Sequence, residues 1–182
     1  MGNWEGRFGG WSHMALTEKG KEQAKTTGKR LEGMAFDQFF CSDLFRARQT
    51  AELVFPGHAC VEDWRLREIH VGECLEGRLR EECFRQYGGD LKRAVAARDY
   101  TRYGGEDSAT QLKRVAEFLE SLNEFPDSAE IAAVCHAGTV FSMLCHVLQA
   151  EIDQKTVLLE NASVSCFRRK NNKWQLAGWN YS

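Results

Sequence analysis

The sequence predicts an α/β fold with a mostly parallel sheet, and three observations carry that prediction. Short apolar runs at Asp37–Cys41 and Ile131–Cys135 have the length and composition of buried strands. Longer stretches with a helical apolar period precede and follow them. Near the end, Ala162–Arg168 and Trp174–Trp179 flank the turn Lys170-Asn171-Asn172-Lys173 and read as a closing hairpin. Strands alternating with helices are the pattern of a sheet with helices packed over it.

Taken in order, Met1–Ala15 is rich in glycine and tryptophan and reads as a loop. Thr17 is placed to cap a helix running to about Gly33, with Ala24, Gly28 and Leu31 on one face. After the strand Asp37–Cys41, Ser42 or Asp43 is placed to cap a second helix through about Val54. A third helix is predicted from about Glu106 to Leu122, where Leu112, Val115, Ala116, Leu119 and Leu122 recur at helical spacing. The strand Ile131–Cys135 leads into an apolar helix from about Gly138 to Leu148. The two prolines, Pro56 and Pro126, both follow helical stretches, where proline stops a helix. No linker or repeat divides the chain, so 1–182 reads as one domain.

Composition narrows the function. A net charge of -2 argues against a general nucleic-acid binder and leaves room for a local basic pocket that takes a small anion. The seven cysteines are scattered without a CxxC pair, so neither a zinc site nor a disulfide framework is read from them. They point to a reducing, cytoplasmic setting. No apolar run reaches the roughly 20 residues of a membrane span. No metal, no cofactor and no membrane or nucleic-acid partner is expected. The sequence leaves the oligomeric state open, with a homodimer as one option.

In parallel sheets, ligands bind beyond the carboxyl ends of the strands. Two segments reach that edge: Cys41 to Arg46 and Val134 to Thr139. His136 follows a strand and precedes a helix that opens with Gly138, where helical N–H groups favour an anion. Alone, it reads as readily as a hydrogen-bonded turn histidine. Arg46 lies about one turn into its helix, near the same edge, with a guanidinium fork suited to phosphate oxygens. Arg48, about 200° further around the helix, reads as a solvated residue. Glu68 is a candidate proton donor, with Glu73 and Glu76 as nearby competitors.

These weak signals cohere through a resemblance. Asn3 to Trp11 with Leu16-Thr17-Glu18-Lys19-Gly20, Ser42-Asp43-Leu44-Phe45-Arg46-Ala47, Leu66-Arg67-Glu68, Gly104-Gly105-Glu106 with Arg114, and Cys135-His136-Ala137-Gly138 resemble, in order, five motifs of the histidine phosphatase superfamily. The resemblance implies a phosphoglycerate-mutase-like three-layer α/β/α sandwich. It implies a phosphomonoesterase acting on a small phosphorylated metabolite through a phosphohistidine. The alternatives are phosphoglycerate mutase-type transfer and a non-catalytic phosphate-ligand-binding protein. Arg46 would hold phosphate, His136 would contact the transferring phosphoryl group, and Glu68 would be the general acid/base. Asn3, Arg7 and Gly138 would contact phosphate or substrate.

One motif of that family, the Arg-His-Gly that supplies the nucleophile at the end of a first strand, is expected a few residues upstream of Asn3, outside these 182 residues. His13, His58, His70 and His146 lie in unrelated contexts. The chain as given is therefore expected to lack its first strand and to be inactive. Cys135 and Ala137 stand where the family often has serine and glycine, and His13 and Ala15 where it often has aspartate and proline; these changes bear on substrate choice rather than fold.

Overall fold

The computed structural model describes residues 6–171 and 173–182, so the expectation for Asn3 lies outside the described residues. Helix α1 (Glu18–Leu31) starts where its cap predicts: the Thr17 hydroxyl accepts a hydrogen bond from the Gly20 amide at 3.2 Å. Glu18 then faces the positive end of the helix, with Lys29 and Arg30 at the negative end. Strand β1 (Gln38–Cys41) and helix α2 (Phe45–Val54) follow. Neither Ser42 nor Asp43 caps α2, as the sequence had suggested; Leu44 takes the N-cap position without a side-chain bond. Asp43 is committed to Arg67 and Ser42 to His136.

A two-residue strand, β2 (Val61–Glu62), precedes helix α3 (Arg80–Ala97), which the apolar pattern does not announce. Gly88 interrupts α3 with φ 55° and ψ −128°, a conformation open mainly to glycine, so its two halves do not share one periodic stripe. Helix α4 (Ser108–Ser121) is capped by the Asp107 carboxylate, which accepts from the Thr110 amide at 2.7 Å. Strand β3 (Ile131–Val134), helix α5 (Ala137–Leu148) and the strands β4 (Val164–Lys170) and β5 (Lys173–Tyr181) complete the order.

Strands β2, β1 and β3 form a parallel sheet in that order, and β4 and β5 form an antiparallel pair of their own. Three layers result. On one face, Ala24, Val54 and Phe55 of α1, α2 and the turn after it pack against Phe39, Ala132 and Val134. On the other, Val115, Phe118, Leu119 and Met143 of α4 and α5 pack against Phe40 and Ile131, joined by Phe167 and Trp174 of the hairpin. Phe39 and Phe40 point to opposite layers, as successive residues of a doubly covered strand must. A third cluster, including Ile69, Val71, Leu75, Leu91 and Tyr103, holds α3 over the loops before it. No helix among the described residues is long and apolar enough to cross a membrane.

Two details of this fold position the site. The register sets Cys41 opposite Val134, and the Ser42 amide donates to the Val134 carbonyl at 2.9 Å, so both chains leave the sheet side by side. Helix α4 is turned relative to the predicted stripe. It buries Gln111 and Arg114 together with Val115, Phe118 and Leu119, whereas Leu112 and Ala116 are only half-buried.

Candidate active site

The His136 side chain occupies the turn between β3 and α5. Its backbone is extended (φ −126°, ψ 162°) and it is the N-cap residue of α5. Nε2 lies 2.9 Å from the Ser42 hydroxyl, which also accepts from the Leu44 amide at 3.3 Å. The hydroxyl proton of Ser42 is thereby available to an unprotonated Nε2. Burial, and then the neighbouring Arg46 guanidinium, push the imidazole down to about 3, so His136 is neutral near neutral pH.

Glu68 belongs to a segment with no strand partner among the described residues, and its backbone carbonyls need donors from elsewhere. Arg114, only 3% exposed, supplies most of them. Its Nη1 donates to the Arg65 and Arg67 carbonyls at 2.7 Å each, and Nη2 donates to the Glu68 carbonyl at 2.9 Å. The same guanidinium pairs with Glu106 at 2.6 Å, and Glu106 in turn accepts from the His70 amide at 2.9 Å. The Thr139 hydroxyl donates to the Leu66 and Arg67 carbonyls at 3.2 and 2.8 Å. The buried polar face of α4 is thus the scaffold on which Glu68 is mounted.

The Glu68 carboxylate turns toward the start of α5. Oε2 accepts from the Gly138 amide at 3.0 Å and Oε1 from the Ile69 amide at 2.7 Å. A Cβ on residue 138 would lie 2.0 Å from Oε1, so only glycine lets the carboxylate approach. Burial favours the neutral acid, but the charge and N–H groups around it outweigh burial and hold Glu68 below the usual carboxylate range. The Gly138 amide, expected to face a phosphate, is therefore given to Glu68.

Arg46 reaches the same place from α2. It donates to the Gly10 and Ser12 carbonyls at 2.7 and 3.2 Å, which engages two of the five N–H donors of its fork. It lies close enough to Glu68 and His136 for their charges to act on one another. The loop it holds is fixed from below by Glu76, whose two oxygens accept from the Trp11 and Ser12 amides at 2.7 Å each. Trp11 stacks on His70 at 4.4 Å and donates its indole N–H to the Glu68 carbonyl at 2.7 Å. Glu76 is thus a loop anchor and Glu73 is exposed, which leaves Glu68 as the carboxylate beside His136. Arg7 donates to the Gly77 carbonyl at 2.8 Å, in the turn beyond Glu76. Arg48 extends outward to Glu62 at 3.4 Å, on a different side of α2 from Arg46.

Sequence reasoning took Ser42 for a helix cap and passed over Gln111 and Arg98, which complete the surroundings of Glu68. For Gln111 a signal exists: it falls one turn before Val115 on the apolar face of α4, where a polar side chain needs a reason. The other histidines are engaged elsewhere. His13 stacks on Phe45 and His70 on Trp11, His58 meets Phe39 at a tilt, and His146 lies in the last turn of α5. One surface cleft, lined by residues including Cys41, Arg48, His58, Cys60 and Glu62, contains none of Arg46, Glu68 and His136.

The site makes the fold acid-sensitive. His136 ordinarily titrates at 6.5 and is pushed to about 3 in the fold, so the unfolded chain binds the extra proton between those values. The stability it contributes is complete above about 6.5 and is lost as pH falls toward 3. Glu68, held below its ordinary 4.5, adds a loss in the same direction at lower pH. Urea midpoints are expected to fall from about pH 7 to about pH 4, and His136→Gln should flatten the upper part of that fall. Parallel profiles for the two proteins would contradict this.

Comparison with known proteins adds an independent line. The profile of the histidine phosphatase superfamily (branch 1) matches residues 1–182. A probable phosphoglycerate mutase GpmB of Erwinia tasmaniensis is 28% identical over 177 residues, covering 95% of this chain and 82% of the relative. The solved structure of Bacillus stearothermophilus YhfR superposes with a TM-score of 0.90 at 26% identity, covering 100% of this chain and 92% of that one. A mycobacterial glucosyl-3-phosphoglycerate phosphatase, Rv2419c, solved with VO3, gives 0.83 at 25% identity, covering 100% and 94%.

Proposed function

Because the chain belongs to branch 1 of the histidine phosphatase superfamily, we propose that it is a phosphomonoesterase acting on a small phosphorylated metabolite, with residues 1–182 forming one domain. In this reading Arg46 and His136 hold the transferring phosphoryl group, and Glu68 exchanges a proton with the departing oxygen. The phosphate dianion entering beside Glu68 raises its proton affinity, so the carboxylate takes up a proton with the substrate. A histidine nitrogen then attacks phosphorus while the bond to the leaving oxygen breaks, and that proton passes to the leaving oxygen. Water then attacks the phosphohistidine, and Glu68 takes the proton back. Asn3, Arg7 and Gly138 are assigned to the loop and turn that border the phosphate. The observation that carries the reading is the meeting at the β3–α5 turn. There the Glu68 carboxylate lies 3.0 Å from the Gly138 amide, and the neutral imidazole two residues earlier lies 2.9 Å from Ser42.

The attacking histidine is assigned to an upstream Arg-His-Gly segment. The divided sheet supports that placement, since β3 and β4 each have a strand partner on one side only among the described residues. The 182 residues alone are expected to leave an aryl phosphate almost untouched, and a form extended upstream to hydrolyse it. Loss of a nucleophile costs several orders of magnitude. Equal turnover by both forms would contradict this assignment.

The name carried by the Erwinia relative favours a second reading, mutase-type transfer in which a substrate hydroxyl takes the place of water. Incubation of the extended form with 3-phosphoglycerate separates the readings. Free phosphate marks the phosphatase, and 2-phosphoglycerate without free phosphate marks the mutase. Phosphate binding without either product marks a non-catalytic binder.

A further inference from the structure

We propose that Arg98 and Gln111 are positioning residues for Glu68, joining its carboxylate to a cation and aiming it at the start of α5. The inference rests on the reading of Glu68 as the proton-exchanging group.

The geometry is a chain of three side chains. Arg98 ends α3 in the left-handed region (φ 51°), which turns the chain over the site. Its Nη2 donates to Gln111 Oε1 at 2.7 Å, and Gln111 Nε2 donates to Glu68 Oε1 at 3.3 Å. Gln111 is fully buried, and its amide has one sensible orientation: reversed, it would set its oxygen against the carboxylate and its NH2 against the guanidinium. The space that Gly138 leaves open is shared by Glu68 Oε1 and Arg98 Nη2, which lie 2.0 and 2.7 Å from where a Cβ would stand. The guanidinium therefore approaches the carboxylate itself and does not merely cap a helix.

Other groups face Glu68 as well. His136 at the α5 N-cap is the neighbour whose charged form would favour the Glu68 carboxylate most, ahead of Arg98, but burial and Arg46 hold its ring neutral near neutral pH. Arg114 on α4 meets the Glu68 carbonyl and is matched by Glu106 at 2.6 Å. Arg46 on α2 is bound to the loop carbonyls of Gly10 and Ser12. The Tyr100 phenol is buried, with its titration pushed up, and the Cys135 thiol is raised to about 12, so both stay neutral. Among the described residues, Arg98 is thus the cation joined to the Glu68 carboxylate through a side-chain relay. A proton given to a leaving group is favoured to leave the carboxylate bare, ready to accept one from water. Arg98 and Gln111 act through Glu68 and need no contact with substrate.

The test reads Glu68 directly. The chain is prepared with 13C-labelled glutamate, the Glu68 carboxyl signal is identified with Glu68→Gln, and its titration midpoint is followed by NMR. Arg98→Gln is expected to raise the midpoint by about one unit, a tenfold gain in proton affinity. Gln111→Leu should raise it in the same direction, and Arg98→Lys should stay nearer the wild type. If Arg98→Gln does not fold, Gln111→Leu reads the same midpoint. A midpoint unmoved in the folded variants overturns the proposal. The outcome is separable from the phosphatase reading. Shifted midpoints in a protein that handles no phosphate ester would leave this relay standing and sink the other claim.

Discussion

Replacing Arg114 with methionine is expected to cost about 3–5 kcal/mol of stability, the usual result of removing one partner from a buried ion pair. The cost has two parts. Glu106 is left as a largely buried carboxylate without its cation, and the Arg65, Arg67 and Glu68 carbonyls lose their donor. With a typical total stability of about 5–15 kcal/mol, many such molecules would be unfolded at moderate temperature. Urea denaturation is the direct measurement. A loss below about 1 kcal/mol would show that water or a neighbouring side chain replaces the guanidinium, and that the segment carrying Glu68 is not mounted on α4 as described.

The second large effect is on turnover. In an extended form that hydrolyses an aryl phosphate, Arg46→Ala is expected to lower kcat by about 10²–10³-fold, the range found when one preorganised donor to a developing anion is removed. Arg48→Ala should change kcat by less than about twofold, because an exposed ion pair such as Arg48–Glu62 contributes little. The two arginines are two residues apart on one helix, so the comparison isolates direction from local structure. Equal losses at unchanged folding would mean that α2 does not aim Arg46 alone at the site. A loss of loop order in Arg46→Ala, visible as altered Trp11 fluorescence, would separate anchoring of the Gly10 and Ser12 carbonyls from phosphate binding.

The parts of the molecule legible in the sequence are those in which local pattern and tertiary role coincide. The runs before Ser42 and His136 are short and apolar because both faces of the sheet are covered, and that composition survives without context. The Thr17 cap of α1 and the two strands of the closing hairpin are likewise local chemistry. The rest is written in long-range contacts. Ser42 has the sequence of a helix cap, yet its hydroxyl goes to a histidine 94 residues away. The apolar stripe predicted on α4 was displaced by Gln111 and Arg114, whose burial follows from the Glu68 carboxylate and from the carbonyls of the Arg65–Glu68 segment, which no periodicity reveals. Helix α3 escaped notice because Gly88-Gly89 breaks its pattern where the chain bends. Arg98 reads as a surface residue until the left-handed end of that helix brings it back over Glu68.

The central claim is that Arg46, Glu68 and His136 surround one phosphoryl group, and inorganic phosphate tests it without requiring catalysis. His136 is neutral in the unliganded site because burial and Arg46 disfavour its charged form. A phosphate dianion in contact with the ring would reverse that balance and draw a proton onto it. The measurement is a phosphate titration of 15N-histidine-labelled protein near pH 7, with His136 assigned by His136→Gln. The account predicts that the His136 nitrogens move to protonated shifts as phosphate binds, with His13, His58 and His146 unaffected. A saturable binding event that leaves the His136 signals in place, or no binding at tens of millimolar phosphate, would contradict it.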